Sequence, residues 1–83
     1  MDFQLLNLRE VRRRLPRSRS TLYDEIKKGI FPKPIKAGRG SFWRDDEIED
    51  LIGAYSVSAS GADLKSLCSR FYERRRGRQE PPT

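Results

Sequence analysis

The residues best placed to do chemistry in this 83-residue chain are Ser20, Tyr23, Asp24, Lys27 and Lys28. They share the stretch at residues 18–29, Ser-Arg-Ser-Thr-Leu-Tyr-Asp-Glu-Ile-Lys-Lys-Gly. Their chemistry is hydrogen bonding and charge neutralisation, not bond making. The stretch reads as a short helix with both ends marked. Ser18 can accept from backbone N–H groups of the first turn, and Gly29 tolerates the left-handed conformation just past a helix end. Leu22 and Ile26 stand four apart and can share one buried face, which turns the polar residues mostly outward. A hydroxyl- and cation-rich outer face fits the major groove of DNA. Two readings of the stretch stand side by side: a recognition helix and a solvated amphipathic helix.

The elements that would position this helix begin with residues 2–8, where Phe3, Leu5, Leu6 and Leu8 predict a short strand or extended arm. Asn7, with Glu10 three residues on, fits a capping box with Asn in the place of Ser or Thr. A first helix over residues 8–15 follows, with Leu8, Val11 and Leu15 on one face. Arg9, Arg12, Arg13 and Arg14 cover the rest, either as a solvated face or as phosphate contacts. Pro16 ends this helix by pushing its predecessor out of the helical region, and Arg17 and Ser18 complete the turn. Two short helices joined by a tight turn form a helix-turn-helix pattern.

Past Gly29, the two prolines of Ile30-Phe31-Pro32-Lys33-Pro34-Ile35 exclude a helix or a central strand. Phe31 and Ile35 are candidate core anchors. Gly38 and Gly40 supply a hairpin tip, and residues 42–44, Phe-Trp-Arg, are the returning strand. Lys33, Lys36, Arg39 and Arg44 line this hairpin, which after a helix-turn-helix reads as a wing along a phosphate backbone or in the minor groove. Trp43 is expected in the core. Asp45 or Asp46 is expected to cap a third helix over residues 46–54, with Ile48, Leu51 and Ile52 packing inward. These consecutive carboxylates suit the positive end of the helix dipole and have no histidine or metal-ligand company that would make them catalytic.

Residues 56–61 read as a small polar linker. Leu64, Leu67, Cys68 and Phe71, with Tyr72, mark an amphipathic helix over residues 62–76, which either closes the core or offers a self-association surface. The basic run Arg74-Arg75-Arg76-Gly77-Arg78 reads either as phosphate contacts or as a solubilising tail, and residues 77–83 are expected to be a disordered tail. The domain reading is therefore a winged helix-turn-helix over residues 1–55, then linker, helix and tail.

Composition narrows the function classes. A chain of this length holds one small domain and buries only about two-thirds of its unfolded surface. Apolar residues make up 35% and charged residues 36%, and the formal charge is +6. Residues 1–44 carry twelve Lys or Arg against four acids, residues 45–63 six acids and no base, and residues 64–83 six bases against two acids. The strongly cationic first half favours an anionic partner, nucleic acid first and a membrane surface second. One cysteine and no histidine exclude an intramolecular disulfide and a zinc finger. No apolar run approaches the roughly 20 residues needed to span a bilayer, and no signal-peptide pattern opens the chain, so a cytoplasmic location is expected. No nucleophile–base pair, metal set or phosphate-cradling loop is present, so neither enzyme activity nor a cofactor is expected.

The combination of Arg19-Ser20-Thr21-Leu22-Tyr23, Ile26-Lys27-Lys28-Gly29, Phe31-Pro32-Lys33-Pro34-Ile35-Lys36, Gly38, Phe42-Trp43-Arg44 and Ile48 resembles the AlpA family. These are small phage-type transcriptional regulators, close in fold to excisionases and to the DNA-binding part of MerR-type regulators. The resemblance covers about residues 6–52. It implies a mainly α fold with a small β-hairpin wing, a winged helix-turn-helix of three to four helices, encoded on a prophage or integrative element. It further implies sequence-specific binding of double-stranded DNA, as an excisionase (a recombination directionality factor), a transcriptional regulator, or both. Integrase and RNA polymerase are the implied protein partners, and self-association on DNA would extend the site.

By matching position, Arg19, Ser20, Thr21, Tyr23 and Lys27 would be recognition-helix residues and Arg39 and Ser41 wing residues. Arg17, Ser18, Lys28, Lys36 and Arg44 complete the expected DNA-binding set. Asp24 departs from the family, which often carries a base there. It would contact cytosine, pair with Lys27 or Lys28, or face away. Pro16 replaces the usual turn glycine, and residues 64–83 lie outside the resemblance. Two further readings are a protein-interaction module, an anti-repressor or integrase partner using the C-terminal helix, and an RNA-binding or coating protein using the arginine tail.

Overall fold

The computed structural model describes residues 3–78. In chain order the elements are β1 (Leu5–Leu6), α1 (Leu8–Arg14), α2 (Arg19–Lys28), β2 (Ile35–Ala37), β3 (Gly40–Arg44), α3 (Asp45–Ser56) and α4 (Gly61–Arg78). Four helices and one small antiparallel sheet of order β1-β3-β2 make a winged-helix-like fold.

Local chemistry fixes the helix ends. Asn7 Oδ1 accepts from Glu10 N, and Glu10 Oε1 accepts from Asn7 N, both at 2.9 Å. That capping box starts α1, and Leu15, extended ahead of Pro16, stops it. Ser18 Oγ accepts from Thr21 N at 3.1 Å and starts α2. Gly29, at φ +81°, ends it in the left-handed conformation, with its N–H donating back to α2 carbonyls.

The hairpin turns at Gly38-Arg39, with Ala37 facing Gly40 and Ile35 facing Phe42. Gly38 has φ +62° and Arg39 does not share the positive φ, the pattern of a II′ turn, whose hand matches the twist of the strands. β1 adds a third strand, pairing Leu6 with Trp43. Of the short strand or extended arm expected at the start of the chain, it is the strand that forms, and it joins the sheet.

The core is built from Leu6, Val11, Leu15, Leu22, Phe31, Trp43, Ile48, Leu51, Leu64 and Phe71. Trp43 is fully buried, and its indole N–H donates to Pro32 O at 2.9 Å. Phe31 meets it edge-on. The proline-rich segment is thus anchored by a ring and a hydrogen bond, not by a strand.

Two sequence expectations for α3 need correction. Ile52 is exposed, because Ile48 and Leu51 alone fall on the inward stripe. Neither Asp45 nor Asp46 caps the helix, since the N-cap position is Arg44. Asp45 Oδ1 instead accepts from Gln4 N at 2.9 Å, while Asp45 N donates to Gln4 O. Asp46 binds Arg44. The acids still occupy the first turn, where the helix dipole favours them.

Residues 56–61 make a compact turn, with Ser58 at φ +55° and Ala59 N donating to Ala54 O. Ser60 Oγ then accepts from Asp63 N at the start of α4. Leu64, Cys68 and Phe71 of α4 are buried, so this helix closes the core. Residues 77 and 78, expected in a disordered tail, continue α4, and the rest of that expected tail, residues 79–83, lies outside the described residues.

Candidate nucleic-acid interface

The turn between α1 and α2 is braced from both helices. Arg12 Nε donates to Arg17 O at 3.0 Å. The Arg17 guanidinium pairs with Glu25 one face along α2 and lies over the Tyr55 ring, 4.6 Å from its centroid. Arg17 is thereby committed within the fold and only partly available to a ligand. These contacts fix how α2 leaves the turn, replacing the flexibility that a turn glycine would give.

The outward face of α2 holds Ser20, Thr21, Asp24, Lys27 and Lys28, all exposed. Asp24 sits at the middle of this face and pairs with Lys28 Nζ at 3.1 Å, one of the three outcomes expected for it. The exposed i,i+4 pair is worth about 0.3–0.5 kcal/mol, little enough for either partner to leave for a ligand. Lys27 has no carboxylate partner among the described residues. Ser18 spends its hydroxyl on the cap, accepting from Thr21 N and donating to Thr21 Oγ1 at 2.9 Å. Arg19 is exposed above Tyr23, which packs partly against the core.

In the wing, Lys36 Nζ donates to Ser41 Oγ at 2.8 Å across the hairpin. Arg39 stands exposed at the tip, free of ion pairs among the described residues. The Phe42 ring lies over Gly40, where a Cβ would come within 2.6 Å of it. Glycine at that position therefore lets the ring cover the hairpin backbone.

Arg44 does not join this surface. Its side chain is 3% exposed, because it hydrogen-bonds Asp46 through Nε at 2.9 Å and NH2 at 2.6 Å and lies over the Phe3 ring. The hydrogen bonds to Asp46 lead in raising its already high pKa. For Asp46, burial works upward, but the bonds and charge of Arg44 outweigh it and hold the carboxyl below its ordinary value. Arg44 is the root of the wing, not one of its contacts.

Sequence reasoning missed one residue pair that shapes this region. Glu47, fully buried, receives Arg75 Nε at 3.0 Å and NH2 at 2.6 Å, with Arg44 Nε at 3.9 Å. Arg74 approaches Asp50 at 3.7 Å. Two arginines of the apparent basic tail are thus ion-pair partners of α3. The one available signal was complementarity between the acid-only segment and the basic run after it. Tyr72 of α4 also accepts from Lys33 N at 2.9 Å, tying α4 to the segment between α2 and the wing.

Among the described residues no group of His, Cys, Asp and Glu could hold a metal ion, and no helix is long and apolar enough to cross a membrane.

The chain matches the family model described as Prophage CP4-57 regulatory protein (AlpA) over residues 4–53. That span runs from β1 through most of α3 and stops before α4. No curated protein and no solved structure matches the chain.

Proposed function

The chain belongs to the AlpA family of phage regulatory proteins, and from that membership we propose that it binds double-stranded DNA sequence-specifically, with α2 in the major groove and the β2–β3 wing on the adjacent backbone. The observation that carries the reading is the pairing pattern. Lys27 and Arg39 are free of carboxylates among the described residues, whereas Arg44 and Arg75 are paired inside the fold. Unpaired charge therefore remains where a groove-reading helix and a wing would need it.

In this reading Ser20, Thr21 and Lys27 meet base edges, and Asp24, once released from Lys28, accepts from a cytosine amine. Arg17, Ser18, Arg19, Tyr23 and Lys28 flank the helix. Lys36, Arg39 and Ser41 approach phosphates from the wing. The biological role is excision of the element, control of its promoters, or both, with integrase or RNA polymerase as protein partner. A single domain of this size covers few base pairs, so neighbouring copies would share a site.

The test compares binding to the element's attachment-site duplex, its promoter duplex and a random duplex, for the wild type, Lys27→Ala and Arg39→Ala. Preference for the attachment site supports excision, and preference for the promoter supports regulation. Unchanged affinity in both variants would refute the proposed surface.

A further inference from the structure

A second cationic feature lies beside α2 and is not absorbed by the groove-reading face. A cleft of about 470 Å³ opens between α1 and the turn after it, lined by Leu8, Arg9, Arg12, Arg13, Pro16 and Arg17. Arg9 and Arg13 stand four apart on one face of α1, are exposed, and have no protein partner among the described residues. Arg12 is anchored by its Nε on the Arg17 carbonyl at 3.0 Å, which leaves its two terminal nitrogens without a protein partner. Arg17, held by Glu25 and Tyr55, forms a wall of the cleft and is not its ligand group.

No carboxylate lines the cleft. The one acid of α1, Glu10, is turned back into the capping box with Asn7. Three guanidinium groups around one concavity, with no internal counter-charge, make a receptor for a tetrahedral oxyanion, which accepts from such planar forks in pairs. The cleft ends at Arg17, the residue before the Ser18 cap of α2. An anion seated there lies beside the start of the helix assigned to the groove.

We infer that Arg9, Arg12 and Arg13 form a clamp for backbone phosphates of the duplex, on the strand flanking the groove that α2 enters. This rests on the duplex-binding reading above. A phosphate clamp reads no sequence; it sets the register of α2 and adds affinity on every duplex equally. The Asn7 cap fixes the start of α1 and the Arg12–Arg17 bond holds the Arg12 fork, while the Arg9 and Arg13 side chains are left to close on the phosphate.

The experiment uses the full chain with two duplexes, one carrying the attachment site and one of random sequence, titrated between 50 and 200 mM salt. The variants are Arg9→Ala with Arg13→Ala, Arg9→Lys with Arg13→Lys, and Lys27→Ala, each checked for its fold by circular dichroism. The alanine pair is expected to weaken both duplexes by the same factor and to make the slope of log K against log salt shallower by about two, roughly one for each lost phosphate contact. The lysine pair keeps most of the slope, because the charge remains, and it also controls for misfolding. Lys27→Ala reduces the preference for the attachment site. If the alanine pair leaves affinity and slope unchanged while Lys27→Ala still weakens binding, the clamp is wrong and the duplex reading stands. If the wild type binds neither of these duplexes nor the element's promoter duplex, the duplex reading itself is wrong and the clamp goes with it.

Discussion

Glu47 and Arg75 meet in a two-bond fork, at 2.6 and 3.0 Å, with Glu47 fully enclosed by the fold. The pair joins α3, inside the span shared with the family, to α4, outside it. An enclosed carboxylate that loses its partner remains buried and uncompensated, which is costly. Arg75→Ala is expected to destabilise the chain by about 3–5 kcal/mol, moderated by Arg44 nearby. Against a total of about 5–15 kcal/mol for a small domain, this is a large fraction. Urea unfolding followed by circular dichroism measures it, and a loss below about 1 kcal/mol would show that the fork adds little.

Trp43 joins packing and hydrogen bonding in one side chain, since its N–H reaches Pro32 O at 2.9 Å inside the core. Trp43→Phe keeps most of the ring but leaves that carbonyl unpaired, for an expected cost of about 1–3 kcal/mol. Trp43→Ala adds a cavity, for about 3–5 kcal/mol. The order of the two midpoints in denaturant is the check; equal losses would mean that ring volume is not the dominant contribution.

Gly29 ends α2 at φ +81°, and a Cβ there would come no closer than 3.9 Å to the Lys65 side chain. The expected cost of Gly29→Ala, about 1 kcal/mol, is therefore backbone strain and not a clash. Gly29→Asn, which tolerates the left-handed region, should recover part of it in a thermal melt.

Cys68 is buried, and burial pushes its thiol pKa up to about 11. The native thiol should be unreactive toward a disulfide reagent at pH 8 and react only when the chain opens, so its rate should rise in Arg75→Ala. The same shift has a sign for stability. The folded thiol holds its proton more tightly than the unfolded one, so its contribution is complete below pH 9 and is lost as pH rises toward 11. Tyr55 and Tyr72, also raised chiefly by burial, act in the same direction. At the acid end Asp46, held low, contributes above its unfolded value of 3.8 and loses that contribution as pH falls through its folded value. Stability measured from pH 3 to 11 should therefore decline at both ends, and Asp46→Asn should flatten the acid side.

The local elements were legible because their signals are short-range. Asn7 with Glu10, Ser18, Pro16, Gly29 and the glycines of the wing each act within a few residues, and the helices and the hairpin followed from them. What the sequence hid acts over distance. Arg44 read as a wing cation because its position in the strand is visible and its burial against Asp46 and Phe3 is not. Arg74 and Arg75 read as a tail because their partners lie more than twenty residues earlier in the chain. Ile52 read as core because two registers of one apolar stripe look alike until the neighbouring helix is in place. For the candidate interface, residue types were legible, but which cations remain unpaired was not.

The central claim is that unpaired cations on α2 and the wing bind duplex DNA. Its most direct test is a fluorescence-anisotropy titration of the full chain on a labelled duplex over a series of salt concentrations. With about five phosphates neutralised, log K should fall against log salt with a slope of about −4 to −5. Absence of binding at moderate salt, or an affinity indifferent to salt, would contradict the claim.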